Sequence, residues 1–334
     1  MDLKSISRRD FLTGASALGA ASMFGVPQLA SAEPPPEISR VSLSDINALC
    51  FAPQFVAEEL LKFEGFSEVE YVKVQDDIPT TLAESADFSM FGGPSIIPAI
   101  DKGYPISVIG ALHEGCWELF AHEPIRSLQD LVGKRIGVSN YGGVEQVWLS
   151  SMLAWVGVNP KTQIRWVAHD RWPDRVRAYI SGKVDAFLAF PPEPQRLRKQ
   201  NVGHVIVNTT QDSPWSQYFC CLLGARNEFI EQYPIATKRA LRAIMKASDL
   251  CSENPDLAAQ YLVDRGFSDD YELALEIINS LSYSRWRTDN PTDTIRFHSL
   301  RLRDAGMIKS TPQEIIDRGT SFSFLNELKK ELKA

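Results

Sequence analysis

Two glycine turns, each placed before a helix pattern, are the residues best suited to hold a small ligand. Gly92-Gly93 follow an apolar strand pattern at residues 88–91, and Gly142-Gly143 precede a helix pattern that starts at Val144. Glycine lets the backbone come close to a bound group, because no Cβ stands in the way. A helix start presents free N–H groups and a partial positive charge. Both turns therefore predict contacts with an oxygen-rich group.

Three carboxylates, those of Glu114, Glu145 and Glu193, lie in the predicted loops around these turns. Carboxylates disfavour a nearby anion and accept N–H groups. We therefore expect a nitrogen-bearing neutral, zwitterionic or cationic organic ligand, with Glu193 as its first acceptor and Glu145 as its second. The alternative is that all three are solvated rim residues. The five candidate loops contain no Arg or Lys and span residues 47–50, 91–95, 113–117, 139–145 and 190–193.

Aromatic and polar residues in and near these loops complete the candidate site, since a small solute usually binds in an apolar cleft with a few placed polar groups. Trp117, Tyr141, Phe91 and Trp215 are the candidate walls, and core packing is the alternative for each. The predicted ligand-binding residues are Asn47, Cys50, Phe91, Gly92, Gly93, His113, Glu114, Trp117, Ser139, Tyr141, Gly142, Gly143, Glu145, Phe190, Glu193 and Trp215. Four arginines in segments that the sequence does not place could also reach the ligand: Arg171, Arg226, Arg285 and Arg287.

The cysteines show no spacing typical of a zinc site, and the sequence predicts neither a metal site nor a cofactor. Cys220-Cys221 lie in the apolar run 218–223 and are predicted to be core residues. A nucleophilic cysteine needs a base or a positive field nearby, and His113 could serve Cys50 in this way. The five cysteines are an odd number, which leaves at least one thiol unpaired: Cys50, Cys116, Cys220, Cys221 and Cys251.

Composition and pattern indicate an α/β protein with two lobes. The 334 residues are 44% hydrophobic and 23% charged, as in a soluble globular protein, and are enough for two cores of ordinary size. Strand and helix patterns alternate from about residue 38 to residue 207, which predicts mostly parallel sheets flanked by helices. The formal net charge is −7, so we expect no nucleic-acid partner, because such a partner requires a basic face.

The first 32 residues have the pattern of an export signal. Basic residues precede a weakly apolar run at 11–29, and a small-residue cleavage site follows at 30–32. Residues 7–12, Ser-Arg-Arg-Asp-Phe-Leu, resemble the twin-arginine export motif of bacteria. We expect residues 1–32 to be removed and the mature protein to lie in the periplasm. A membrane-anchoring helix is the alternative, although glycines and Pro27 interrupt the short apolar run.

Several motifs of the mature chain resemble the solute-binding proteins of importers for nitrate, sulfonates, taurine and the pyrimidine precursor of thiamine. The resemblance covers roughly residues 40–250 and implies a two-lobed periplasmic binding protein type II fold with a two-strand hinge. It also implies that the protein delivers a small-molecule ligand to an ABC permease and its ATPase. The matching motifs are Ala52-Pro53, Glu58-Glu59, residues 103–106 (GYPI), residues 127–138 (SLQDLVGKRIGV) and residues 181–186 (SGKVDA).

The expected organisation follows from this pattern. After the signal at 1–32, we expect the first part of lobe 1 at 33–123, lobe 2 at 124–218, and the return to lobe 1 with C-terminal helices at 219–334. The chain is expected to be a monomeric binding protein for a nitrogen- or sulfonate-containing organic solute, and not an enzyme. The alternative is a periplasmic cysteine-dependent hydrolase of the sulfinate-cleaving type, which shares the fold and has its nucleophile in the region of Cys50.

Replacing both Arg8 and Arg9 by Lys should leave the full-length precursor in the cytoplasm, because the twin-arginine route depends on that pair. Cell fractionation with immunoblotting of the precursor and the processed form measures this. Lys4→Gln, which keeps the pair, is the control and should be exported. Normal periplasmic delivery of the double variant would contradict this route.

Overall fold

The computed structural model describes residues 33–46, 48–74, 77–169 and 171–333. The export-signal prediction and Asn47 lie outside the described residues. The strands are β1 Arg40–Asp45, β2 Glu68–Lys73, β3 Phe88–Gly92, β4 Ile106–Glu114, β5 Glu118–Ala121, β6 Arg135–Val138, β7 Arg165–Ala168, β8 Ala186–Ala189, β9 His204–Asn208 and β10 Phe219–Arg226. The helices are α1 Ala52–Val56, α2 Glu58–Phe63, α3 Ile78–Glu84, α4 Ile97–Asp101, α5 Val144–Trp155, α6 Trp172–Ile180, α7 Glu193–Gln200, α8 Asn227–Gln232, α9 Pro234–Glu253, α10 Pro255–Asp264, α11 Tyr271–Asn279, α12 Pro291–Asp304, α13 Pro312–Gly319 and α14 Ser323–Glu331.

Two five-stranded sheets with the same plan form the two lobes. The first has the order β2-β1-β3-β10-β4, and the second has the order β7-β6-β8-β5-β9. In the first sheet β10 runs antiparallel to both β3 and β4, and in the second β5 runs antiparallel to both β8 and β9. The other four strands of each sheet share one direction. The predicted two-lobed α/β fold with mostly parallel sheets flanked by helices is therefore confirmed.

The chain crosses between the sheets twice, once at residues 115–117 and once at 209–218. The two crossings are held together, because the Trp117 N–H donates to Thr209 Oγ1 at 3.0 Å and the Thr209 N–H donates to Trp117 O at 2.9 Å. Gly115 has φ +62°, and a Cβ there would lie 2.4 Å from Thr210 Cα. Only glycine therefore fits where the first crossing passes the second.

The position of β5 corrects the boundary expected from the sequence, which placed residues 118–123 in lobe 1. Glu118 pairs with Ala189 of β8 and with Asn208 of β9, so β5 belongs to the second sheet. We infer that lobe 1 comprises residues 33–114 and 219–333 and that lobe 2 comprises residues 118–208.

Helices of lobe 1 bury the apolar face of its sheet and build most of the C-terminal third. The 20-residue helix α9 packs against α1 and α2, and its buried face includes Leu241 and Ile244. Among the described residues, no helix is both long and apolar enough to cross a membrane.

Candidate functional site

The carboxyl ends of the strands in both sheets meet at the boundary between the lobes, and the two lobes are in contact there. A Cβ on Gly92 of lobe 1 would lie 2.7 Å from Trp148 Nε1 of helix α5 in lobe 2. Ser151 of the same helix pairs with His298 of helix α12, with 2.9 Å between Oγ and Nδ1. Ligands of open α/β sheets bind beyond these strand ends, so this boundary is the candidate site.

A buried arginine organises the lobe 2 side of this boundary. Arg175 of helix α6 has no exposed surface, and its Nε lies 2.9 Å from Glu145 Oε1. Its Nη2 donates to both carboxylate oxygens of Glu193 at 2.9 Å. The hydroxyl of Ser139 donates to Glu145 at 2.8 and 2.9 Å. The loops that follow β6 and β8 are therefore joined through a single guanidinium group.

This ion triad corrects the expected roles of the two glutamates. Glu193 and Glu145 were the predicted acceptors for ligand N–H groups, but Arg175 already engages both carboxylates. Burial raises the pKa of Glu193, and the charge and hydrogen bonds of Arg175 oppose that shift. The sequence does not reveal the role of Arg175, because this residue lies inside a helix pattern and outside the candidate loops.

Glu114 is the third carboxylate, and its setting differs from that of the other two. It is 4% exposed, and Arg285 Nε lies 3.0 Å from its Oε1. Neither of its carboxylate oxygens has a well-aligned hydrogen bond within the described chain. Burial raises its pKa to about 7 against the opposing charge of Arg285. A buried carboxyl that titrates near neutral pH is typical of a functional site.

The aromatic predictions divide into two groups. Trp117 packs with its ring centroid 5.2 Å from that of Phe190 and 6.1 Å from that of Trp148, so these rings lie together at the boundary. Trp215, at the second crossing, is 7% exposed. Tyr141 and Phe91 lie elsewhere, and their predicted role as walls stays a prediction.

Tyr141 and Phe91 lie in two different environments. Tyr141 is 69% exposed, and its hydroxyl donates at 3.5 Å to the carbonyl of Trp166 on β7, at the edge of the second sheet. Phe91 is fully buried in the core of lobe 1, where it contacts Gly224 and packs with Leu82.

The glycine turns permit close packing within the protein. A Cβ on Gly93 would lie 2.9 Å from the carbonyl oxygen of Phe219, and one on Gly143 would lie 1.7 Å from Asn140 Oδ1. The N–H of Gly142 donates to Gln146 Oε1 at 2.6 Å. The predicted contacts of these turns with an oxygen-rich ligand stay predictions.

Of the four unplaced arginines, only Arg285 reaches the candidate site. Arg171 is mostly exposed and pairs with Asp174 in its own helix region. Arg226 pairs with Asp87 at the amino end of β3, and Arg287 pairs with the buried Asp249 of α9.

Four of the five cysteines gather at the lobe 1 side of the boundary. Ligand atoms of Cys50, His113, Cys116 and Cys221 all lie within 4.8 Å of one another, and all four residues are buried. Cys220 Sγ lies 2.8 Å from Cys116 Sγ. The sequence predicts no metal site, and that stays a prediction, but the tertiary structure brings together, from three separate segments, side chains that could hold an ion. The nearness of Cys50 and His113 is confirmed.

The NMT1/THI5-like family profile matches residues 62–258, which is more than half of the chain. The chain belongs to the NMT1/THI5-like family. The nitrate/nitrite-binding protein NrtA of Nostoc sp. is 26% identical over 286 residues, which are 76% of this chain and 63% of that relative. The chain thus spans less than two thirds of the length of that relative.

Solved structures of other proteins confirm the fold of this family member. The periplasmic nitrate-binding protein NrtA from Synechocystis PCC 6803 superposes with a TM-score of 0.71 at 18% identity, covering 90% of each chain. The aliphatic sulphonate-binding protein SsuA from Escherichia coli gives 0.66 at 16% identity, covering 86% of this chain and 93% of SsuA. The desulfurization enzyme DszB gives 0.58 at 15% identity, covering 88% of this chain and all of DszB. At these identities the likeness shows the fold alone.

Replacing Arg175 by Met should destabilise the protein by about 3–5 kcal/mol, because two buried carboxylates lose their counter-charge. Arg171→Met, at a mostly exposed arginine of the same region, is the matched control and should cost less than about 1 kcal/mol. Denaturant unfolding of both variants measures the difference. Equal small losses would contradict the organising role of Arg175.

Glu114 should make the free energy of unfolding fall as pH rises from about 4.5 to about 7. Its pKa in the folded protein is about 7 against an ordinary value of 4.5, so the folded state binds more protons in that window. Glu114→Gln should therefore gain stability over the wild type progressively as pH rises through the window. Unfolding at several pH values measures this. Glu123→Gln, at an exposed glutamate, is the control, and a pH-independent effect of Glu114→Gln would contradict the assignment.

Proposed function

We propose that this chain is the solute-binding component of an ABC importer and that its two lobes close on a small nitrogen-bearing organic solute. The single observation that carries the proposal is the set of buried polar atoms with unused hydrogen-bonding capacity where the lobes meet. Trp148 Nε1 and Trp215 Nε1 are buried without a hydrogen bond to the described chain, and the buried Glu114 carboxylate has an ion pair with Arg285 but no well-aligned hydrogen bond. Buried polar groups in folded proteins are nearly always hydrogen-bonded, so such atoms mark the place of a ligand or of ordered water.

These atoms also specify the chemistry of the solute. The two indole N–H groups can only donate, so they fit an acceptor such as an oxygen or a ring nitrogen. Glu114 Oε2 is the remaining acceptor for a ligand N–H group, since Arg285 pairs with Glu114 Oε1 and Arg175 engages Glu145 and Glu193. The Trp117 ring lies beside the rings of both Trp148 and Phe190, and together they supply an aromatic wall. A solute that combines N–H groups with an acceptor, such as an amino sulfonate or an aminopyrimidine, fits this set.

Arg175 changes the charge that a ligand meets at this boundary. From the sequence alone, three carboxylates in loops that contain no Arg or Lys disfavour an anionic ligand. In the structure, Arg175 offsets much of the charge of Glu145 and Glu193, and Arg285 lies beside Glu114. A sulfonate group is therefore acceptable when the same molecule also carries N–H groups for Glu114.

The partners and the compartment belong to the same proposal. Membership of the family and the likeness to periplasmic binding proteins support a periplasmic protein that delivers its solute to a permease and an ATPase. The export pattern of residues 1–32 supports the twin-arginine route.

The hydrolase alternative rests on the nearness of Cys50 and His113. The same geometry weighs against it, because Cys50 is 1% exposed and shares its surroundings with Cys116 and Cys221. A substrate could not reach the thiol in this arrangement. Binding without turnover is therefore the better-supported function.

A thermal-shift panel should contain nitrate, plain alkanesulfonates, taurine, aminopyrimidines and small amines. A ligand present at a hundred times its dissociation constant adds about 2.7 kcal/mol of stability. For a protein of this size each kcal/mol raises the melting temperature by about 2–4 °C. We expect a shift with a nitrogen-bearing compound and a smaller shift in Glu114→Gln, while Glu123→Gln responds like the wild type. Small-angle scattering with the active compound should show compaction.

Three outcomes would contradict the proposal. A shift with nitrate or a plain alkanesulfonate alone would overturn the nitrogen-bearing solute. A stabilising ligand that leaves the scattering curve unchanged would overturn lobe closure. Turnover of a sulfinate that is lost in Cys50→Ser would favour the hydrolase.

A further inference from the structure

We propose that Cys50, His113, Cys116 and Cys221 bind one Zn²⁺ ion at the base of the first crossing. Three thiolates and one imidazole form a common tetrahedral donor set for structural zinc. All four residues belong to lobe 1 or to the first crossing, and none comes from lobe 2. The ion would therefore be a resident part of the protein, present whether or not a solute is carried.

The strand register brings the donors together. Cys221 of β10 lies directly opposite His113 of β4, and side chains of such antiparallel pairs have Cβ atoms about 4.5–5.5 Å apart. Cys50 lies in the 3₁₀ turn Leu49–Phe51 that follows β1, and Cys116 lies two residues after β4. Cys116 has φ +120°, which is rare for a residue with a side chain. Such backbone strain persists where the surrounding structure requires it.

His113 is oriented as a metal ligand. Its Nδ1 lies 3.1 Å from the carbonyl oxygen of Glu114, and a carbonyl can only accept, so Nδ1 carries the proton. Its Nε2 then has a lone pair, and that buried atom has no hydrogen-bond partner in the described chain. Metal-binding histidines usually donate their other ring N–H to a backbone carbonyl or a carboxylate in this way. The Tyr283 ring packs edge-on against the imidazole at 5.1 Å and holds it in place.

The size of the group fits a single ion. A zinc ion with Zn–S bonds of about 2.3 Å has ligand atoms about 3.7 Å apart, and the four atoms here lie within 4.8 Å of one another. A cluster of several iron atoms would need a wider set of thiolates. A divalent ion also cancels most of the charge of three thiolates, whereas monovalent copper would leave a larger buried negative charge.

The surroundings leave a way in for an ion. Cys116 borders an open groove of ≈ 730 Å³, whose lining includes the carboxylates of Asp212 and Glu276. Acidic groups at the mouth of a groove attract cations.

The competing chemistry is a disulfide between Cys116 and Cys220, whose sulfur atoms lie 2.8 Å apart. Oxidising compartments permit such a bond. The two possibilities need different cysteines, because zinc requires Cys221 and the disulfide requires Cys220. Substituting Cys221 or Cys220, which are neighbours in β10, therefore distinguishes a zinc site from a disulfide.

The test uses the full chain, purified anaerobically with reductant and without chelator. Elemental analysis should find one zinc per chain. Cobalt added to the apoprotein should give the visible ligand-field bands and the near-ultraviolet charge-transfer band of a tetrahedral thiolate site. Cys221→Ser should lower zinc affinity by at least about tenfold. Loss of a group that only hydrogen-bonds to a metal ligand already costs about 10–100-fold in affinity, and Cys221 is itself a proposed ligand. Affinity should rise with pH, because binding releases thiol protons.

Two variants are the controls. Cys220→Ser removes the neighbouring thiol, and Cys251→Ser removes a buried thiol outside the donor set; both should keep one zinc and the cobalt spectrum. Circular dichroism checks that each variant is folded. Absence of zinc together with a cobalt spectrum lacking thiolate bands would overturn the proposal. Binding of copper, or of iron with sulfide, in place of zinc would also overturn it. So would retention of zinc by Cys221→Ser, or a Cys116–Cys220 disulfide that persists in the presence of reductant and zinc.

Discussion

The direction of the strands at the two crossings is the constraint on which the rest of the structure depends. The carboxyl edges of both sheets face each other, so a chain that leaves β4 must enter the second sheet at its carboxyl edge. It must then run against its neighbours, as β5 does, and the same holds for β10 on the return. This arrangement places the two crossings side by side and sets the candidate site between the strand ends.

A buried charge then fixes the shape of lobe 2 at this boundary. A guanidinium without solvent costs several kcal/mol unless it is paired and hydrogen-bonded. Arg175 meets this condition with Glu145, Glu193 and the carbonyl of Leu188. Because the buried charge must stay paired, Arg175 holds the loops after β6 and β8 in one geometry. Glu114, on the opposite lobe, pairs with Arg285 instead.

The cysteine–histidine group lies where lobe 1 meets the first crossing. Cys116 belongs to the first crossing, whereas Cys50 and Cys221 belong to the sheet of lobe 1 and its loop. An ion bound by these residues would anchor one end of the crossing to lobe 1 and leave lobe 2 to move against it. The Arg285 guanidinium lies beside Glu114 and donates to Ser216 O at 3.3 Å, so it links the same region to the second crossing.

The sequence by itself determined the two α/β lobes, the strand and helix order, the return strand at 218–223 and the family resemblance, because apolar periodicity and turn residues are local signals. It also indicated that Cys50 and His113 lie near each other, since both follow or end strands of one sheet. Only the tertiary structure decided the rest. Arg175 joins Glu145 and Glu193 across 30 and 18 residues of chain through helix packing that no spacing reports. Cys220 and Cys221 both reach Cys116 because the β10–β4 register shifts at this point, and a shift of register changes which side chains meet.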